Sequence, residues 1–371
     1  MHVLVTADAV GGVWTYAREL VTGLSRRGVQ VTLVSFGDIP TVPQIEWLEG
    51  LRGVEFHPTA FKLEWMQDAE DDIEASSEYL RRVIDEVQPD LLHLNQFCYG
   101  ALKVEIPKLV VAHSDVVSWW VNVKGSEPPA DRWTNWYRDV VGRGLSEASG
   151  VVAPSRWMME CVETFYGKPT QSSVIYNGRT PTLFNPYVTK EDSVLSVGRL
   201  WDGGKQAGLL TKVATEVPVF IAGTEQHADE SFRSAEAGLG ESHRSQLFLK
   251  GPQSETQLRQ LFGRASMYVA TSRYEPFGLA PVEAALSRCA LICNDIPTFR
   301  ELWGDAAVYF NRNDAESLQA VIEQLQSDRE MRLTVANLAY NRARQRFTAE
   351  RMVEDYLNLY QTLVSAGAAA A

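Results

Sequence analysis

The chain is poor in the residues that build metal centres and covalent cross-links. It has four cysteines, Cys98, Cys161, Cys289 and Cys293, scattered through 371 residues. They sit in segments that read as buried and lack paired ligand spacing, so reduced core thiols are expected rather than a disulfide or a thiolate metal site. The six histidines form no ligand cluster, and no Asp-x-Asp pair sits at a strand end; no metal is expected. Positive charge is also short. Lys and Arg total 35 against 47 Asp and Glu, a formal net charge of −12. That balance argues against a nucleic-acid partner, whose phosphates need a basic face, and disfavours a broad anionic membrane surface. Long apolar runs are missing too: none approaches the roughly 20 residues of a membrane span. The opening Met-His-Val-Leu-Val-Thr-Ala is too short for a signal peptide. A soluble, cytoplasmic chain without stable membrane insertion is expected.

What is present is a repeated strand-and-helix rhythm. His2 to Thr6, Asp8-Ala-Val-Gly-Gly12, Val13 to Arg27 and Gln30 to Phe36 read as strand, glycine turn, helix, strand, a βαβ unit. Apolar runs at Leu91–Leu94, Leu109–Ala112, Val151–Ala153 and Val174–Tyr176 alternate with helical patterns such as Asp71–Val87 and Ser155–Tyr166. A doubly wound parallel sheet follows. A second series starts at Ser193-Val-Leu-Ser-Val-Gly-Arg199 and continues through Val219–Ala222, Leu247–Lys250, Met267–Ala270 and Leu291–Cys293. The turn-rich Tyr176-Asn-Gly-Arg-Thr-Pro-Thr-Leu-Phe-Asn-Pro186 lies between the two series. The expected division is therefore a first domain over 1–178 and a second over 179–348, followed by a last helix over 349–366. Ala366 to Ala371 reads as an unanchored tail.

The densest chemical signal is Arg273-Tyr-Glu-Pro-Phe-Gly-Leu-Ala-Pro-Val-Glu283, in which seven residues separate two glutamates. Glu275 precedes a Pro-Phe-Gly turn, and Glu283 lies two turns into the apolar helix that opens near Leu279. A turn leading into a helix offers backbone N–H groups and partial positive charge, which suit a phosphate or diphosphate. Carboxylates beside it suit sugar hydroxyls. Two glutamates eight apart can equally be a solvated helix face. Val197-Gly-Arg199, followed by Lys205, places two cations just past a strand end, where open α/β sheets bind ligands. His113 and the weaker candidate Asp115 follow another strand. Gly11-Gly12 opens the first helix without a G-x-G-x-x-G fingerprint and by itself is as consistent with a mere tight turn. The neighbouring Trp119 and Trp120 are consistent with core packing or with an aromatic platform for an acceptor.

The spacing and context of Glu275 and Glu283 resemble the E-x7-E signature of retaining glycosyltransferases of the GT-B fold, in particular glycosyltransferase family 4 (glycosyl transferases group 1). The resemblance runs over nearly the whole chain, strongest from Val194 to Leu302 and weakest from Ile39 to Tyr79. It implies an α/β protein of two Rossmann-like domains with a cleft between them and a terminal helix crossing back onto the first domain. It further implies that Glu275 binds donor-sugar hydroxyls, Glu283 the nucleotide ribose, and Arg199 and Lys205 the diphosphate, with Gly12 touching the diphosphate through its backbone. His113 would contact the transferred sugar. Gly223, Lys250, Gly251, Phe277, Gly278 and Leu279 would complete the donor side, and Trp119 and Trp120 would face the acceptor. Two departures stand out: Trp201-Asp-Gly-Gly204 intervenes before Lys205, with Gln206 after it, and Gly223-Thr-Glu225 lacks the usual glycine-x-glycine form.

The implied activity is metal-independent transfer of a hexose, with retention, from a nucleotide diphosphate sugar to an acceptor hydroxyl. The donor is expected to be UDP-linked, the commonest choice in similar proteins, and the acceptor a small soluble molecule or a glycan. No cofactor beyond the sugar nucleotide is expected. The alternatives are a nucleotide-sugar epimerase, a phosphorylase, for which no pyridoxal-phosphate lysine is evident, and a non-catalytic nucleotide-sugar-binding protein.

Overall fold

Two parallel sheets, each clothed by helices, account for the architecture of the computed structural model, which describes residues 1–9, 11–224 and 246–370. Val10 and Glu225, both within motifs quoted above, lie outside the described residues. The chain divides into two units, the first made of Met1–Val121, Ser126–Gly178 and Ala349–Ala371, the second of Asn122–Gly125 and Arg179–Thr348.

The first unit opens with β1 (His2–Asp8), α1 (Gly12–Arg26), β2 (Gln30–Phe36), the short α2 (Val42–Ile45) and β3 (Val54–Pro58). It continues with α3 (Glu70–Val87), β4 (Leu91–Leu94), β5 (Lys108–Val111), α4 (Val116–Lys124), α5 (Arg132–Glu147), β6 (Gly150–Ala153), α6 (Arg156–Tyr166) and β7 (Ser172–Val174). The strands lie in the order β3-β2-β1-β4-β5-β6-β7, all parallel. Period-2 alternation sends Leu4, Val34, Leu92 and Val110 to one face and Val3, Val5, Leu33, Leu109 and Val111 to the other. Both faces are covered, as a parallel sheet requires. The sequence reading missed β3, an edge strand with an exposed Glu55 and a terminal Pro58, because half-exposed edges carry weak apolar alternation.

The second unit holds β8 (Glu191–Val197), β9 (Val219–Ala222), β10 (Leu247–Gly251), α7 (Glu255–Arg264), β11 (Ala265–Ala270), α8 (Leu279–Leu286) and β12 (Ala290–Asn294). After these come α9 (Pro297–Trp303), β13 (Val308–Phe310), α10 (Ala315–Ser327) and α11 (Arg329–Arg346). Its described strands are parallel in the order β10-β9-β8-β11-β12-β13. The last helix, α12 (Ala349–Ala370), belongs to the first unit. There Met352, Val353, Tyr356, Tyr360 and Leu363 pack with α1 residues on one face of the sheet. Gly23 of α1 makes the approach close: a Cβ there would fall 2.5 Å from Val353 Cγ2. The helix also corrects the expected free tail. It runs on through Gly367, which packs beside Pro107, in keeping with the helix propensity of its alanines. Among the described residues no helix is long and apolar enough to cross a membrane.

Candidate active site

Backbone packed against backbone builds the first part of the second unit's site. Past β8 and β9, Gly198 N–H donates to Ala222 O at 3.0 Å, and Gly223 N–H donates to Gly251 O at 3.0 Å. A Cβ on Gly223, whose φ is +153°, would sit 1.7 Å from Gly198 O. Only glycine allows these strand ends to meet. The loop after β8 is then folded around buried Asp202, whose Oδ1 accepts from Gly204 N–H at 2.8 Å and whose Oδ2 takes the Arg199 guanidinium at 2.8 Å. Arg199 itself is exposed, lying over the Trp201 ring at 5.0 Å.

This loop delivers Lys205 to the first glutamate of the E-x7-E pair. Lys205 Nζ donates to Glu275 Oε2 at 2.6 Å, and Ser272 Oγ donates to the same oxygen at 2.9 Å. The lysine is itself anchored, since Thr271 Oγ1–H donates to Lys205 O at 2.7 Å. Glu275 is only 8% exposed, and such a burial is tolerable because the charge is paired and hydrogen-bonded. Gly278, at φ +89°, begins α8 and lets the turn close on Glu275, whose Cγ lies 3.1 Å from where a Cβ would be. Among the described residues no side chain caps that helix, and a helix start of this kind suits an anion. Gly198, Lys205, Ser272, Glu275, Gly278 and Leu279 line one recess.

Other expected donor residues are placed differently. Phe277 is a core residue, buried against Phe347 with ring centroids 5.5 Å apart. Lys250 is exposed on β10, its ammonium 4.5 Å over the Phe220 ring, and Gly251 turns the chain at φ +65°. Glu283 does not line the Glu275 recess. Its Oε1 is engaged at 2.8 Å by Nε of Arg179, a residue the sequence reading passed over.

In the first unit, Gly11 rather than Gly12 has the conformation that demands glycine, at φ +77°, and Gly12 is the first helical residue of α1. His113, just past β5, is keyed by Asn95. Asn95 Nδ2 donates to Thr6 O at 2.5 Å, which fixes the amide and leaves Oδ1 to accept from His113 Nε2–H at 2.7 Å. Tyr16 packs edge-on to the ring at 4.6 Å, and burial pushes the His113 pKa down to about 3, so the imidazole is neutral at pH 7. Asp115 is structural: buried, it accepts from Ser118 N–H and Oγ–H and from the Tyr166 hydroxyl, closing the start of α4. Trp119 and Trp120 form a T-shaped pair at 6.2 Å, both half-buried.

Asn95, Asp202, Ser272 and Arg179 were absent from the sequence-based set. Asp202 was in plain view between Arg199 and Lys205, where a carboxylate three residues after an arginine signals a local ion pair. Arg179 gave no such signal, because its partners are 76 and 104 residues away in sequence.

Residues 10–182 match Glycosyltransferase Family 4 and residues 185–342 match Glycosyl transferases group 1. Among curated proteins, a GDP-mannose:cellobiosyl-diphosphopolyprenol alpha-mannosyltransferase of Xanthomonas oryzae is 29% identical over 213 residues, 56% of this chain and 54% of the relative. The match thus spans about half the length of that relative. Among solved structures, sucrose-phosphate synthase from Thermosynechococcus elongatus superposes with a TM-score of 0.81 at 18% identity, over 99% of this chain and 100% of that one. HepE from Anabaena, solved with UDP and glucose, gives 0.74 at 17% identity over 98% and 100%. Two doubly wound parallel units, the E-x7-E segment and these matches agree: the chain belongs to glycosyltransferase family 4 and has the GT-B fold.

Proposed function

We propose that the protein transfers a hexose, with retention at the anomeric carbon, from a nucleoside diphosphate sugar to an acceptor hydroxyl. The observation that carries this reading is the Lys205–Glu275–Ser272 constellation in the recess beside the α8 N-terminus. A carboxylate held from two sides is prepared to accept sugar hydroxyls. The lysine and Arg199, together with the first N–H groups of α8, supply the positive potential that a departing diphosphate needs. Two side-chain cations and a helix terminus take the place of a divalent ion, so activity without added metal is part of the proposal. Leaving-group stabilisation does most of the work, and attack on the same face as the departing phosphate fits a site in which no carboxylate is assigned as nucleophile. By the same resemblance, neutral His113 is assigned to the transferred sugar, the Gly11–Gly12 turn to the diphosphate, and Trp119 and Trp120 to a soluble or glycan acceptor in the cytoplasm.

A UDP-linked donor is the expectation from the resemblance, while the Xanthomonas relative is named for GDP-mannose. The decisive experiment incubates the protein with labelled UDP-glucose and GDP-mannose in excess chelator and follows sugar release, transfer and anomeric configuration by NMR. Retained configuration in a chelator-insensitive reaction is expected. An inverted product, or a sugar epimerised without release, refutes the proposal.

A further inference from the structure

Arg179 is the most deeply buried charged side chain among the described residues of the second unit, 1% exposed. Arginine is almost never so enclosed unless paired. Its guanidinium is divided between two carboxylates: Nε takes Glu283 Oε1 at 2.8 Å, and Nη2 takes Glu255 Oε1 at 2.9 Å. Its flank packs on the Phe184 ring at 5.5 Å, and its own N–H donates to Phe347 O at 2.9 Å. Backbone and side chain are both pinned, so the planar fork has one direction in which to point.

We infer that Arg179 is a positioning residue that aims Glu283 at the ribose of the donor nucleotide and ties that carboxylate to Glu255, at the start of α7 just past the Lys250–Gly251 turn. The inference rests on the reading of Glu283 as the ribose ligand. Three observations support it beyond simple stability. Glu283 is 14% exposed at its side chain, so it is reachable from solvent while its partner is not. A carboxylate has about four lone-pair directions, so pairing with a guanidinium does not by itself prevent it from accepting hydroxyls. Finally, Arg259 joins Glu255 at 2.9 Å, so two carboxylates stand against two guanidiniums. Each carboxylate thus faces a guanidinium, which reduces the repulsion an anionic nucleotide would otherwise meet. A buried ion pair is poor evidence for stability as such, because apolar replacements of similar volume are often neutral or better; what an apolar side chain cannot do is hold Glu283 in one orientation.

The test measures affinity for UDP and GDP against their 2′-deoxy and 3′-deoxy forms by calorimetric titration, in the wild type, Arg179→Lys, Arg179→Met, Glu255→Gln and Glu283→Gln. The wild type should prefer the ribonucleotides by roughly tenfold or more, about 1.4 kcal/mol. Arg179→Lys, which cannot serve two carboxylates with one fork, should lose most of that preference and approach Glu283→Gln, while binding of the deoxy forms changes little. Glu255→Gln alters a half-exposed partner and leaves the core intact, so it reads out the same coupling even where Arg179→Met fails to fold; its preference should fall by about threefold. A merely structural role would weaken ribo and deoxy forms alike. A wild type that makes no distinction sinks the ribose assignment of Glu283 and the inference with it. A wild type that discriminates, with Arg179→Lys and Glu255→Gln discriminating equally well, overturns the inference alone.

Discussion

Unequal burial of the two partners makes the Lys205–Glu275 pair a sharp test of the site. The Glu275 side chain is 11% exposed and that of Lys205 25%. Lys205→Met leaves the carboxylate with the Ser272 hydroxyl but without its cation, in a position too enclosed for water to replace it. Breaking a buried pair in this way costs about 3–5 kcal/mol. Glu275→Gln is milder. The amide oxygen can still accept from Ser272 and Lys205, and the ammonium keeps part of its hydration, so the loss is that of a charge-assisted bond, about 1.5–3 kcal/mol. The double variant removes both charges and should recover part of the loss, with a coupling of roughly 1–3 kcal/mol. Urea unfolding followed by circular dichroism gives the three values, and hydrogen exchange of the β8 and β11 amides assigns the transition to the second unit. Single-variant costs that add to within about 0.5 kcal/mol, or a Glu275→Gln cost equal to that of Lys205→Met, would refute the reasoning. In activity, Glu275→Gln should lower transfer at least tenfold, which corresponds to about 1.4 kcal/mol of transition-state stabilisation.

Glu64 gives a stability signature in pH. Burial pushes its carboxyl from 4.5 to about 7, so the folded chain holds a proton that the unfolded chain releases, and stability falls as pH rises from about 4.5 through 7. The pKa difference of about 2.5 amounts to roughly 3 kcal/mol; Glu64→Gln should flatten the urea midpoint between pH 5 and 8, and an unchanged slope would contradict it. Gly223→Ala must push β8 and β9 apart, costing about 2–3 kcal/mol and lowering nucleotide affinity. Gly251→Ala has no described residue within 4 Å of its Cβ and should cost only the 1–2 kcal/mol or so of its left-handed φ; equal melting temperatures for the two would count against the close-approach argument. Trp119→Ala or Trp120→Ala should raise the acceptor KM while donor hydrolysis stays near wild type, whereas parallel loss of both would mark these rings as packing.

Strand runs were legible because parallel strands buried on both faces are written as short continuous apolar words, such as Leu91–Leu94 and Val151–Ala153. The glycine turn before α1 and the Pro-Phe-Gly turn before α8 were legible because positive φ at Gly11 and Gly278 leaves a compositional mark. Edge strands β3 and β13 (Val308–Phe310) were not, since β3 is half-exposed and β13 is only three residues long. Pairing partners were the least readable. That Lys205 would meet Glu275 across 70 residues, or that Arg179 would divide itself between α7 and α8, depends on sheet order and helix placement, which no local window contains.

Placing α12 in the first unit has a consequence for the order of synthesis. The side chains that close one face of that unit's core, Met352, Val353, Tyr356, Tyr360 and Leu363, are made only after all of the second unit. Until then α1 presents Gly23 and its apolar neighbours uncovered, and His93 lacks the Tyr360 hydroxyl that meets its Nδ1 at 2.7 Å. The second unit, nearly continuous from Arg179 to Thr348, carries no such debt. At about 5–20 residues per second, the ribosome therefore leaves the earlier half of the chain waiting some ten seconds or more for its last helix, and the unit begun second can be the one finished first.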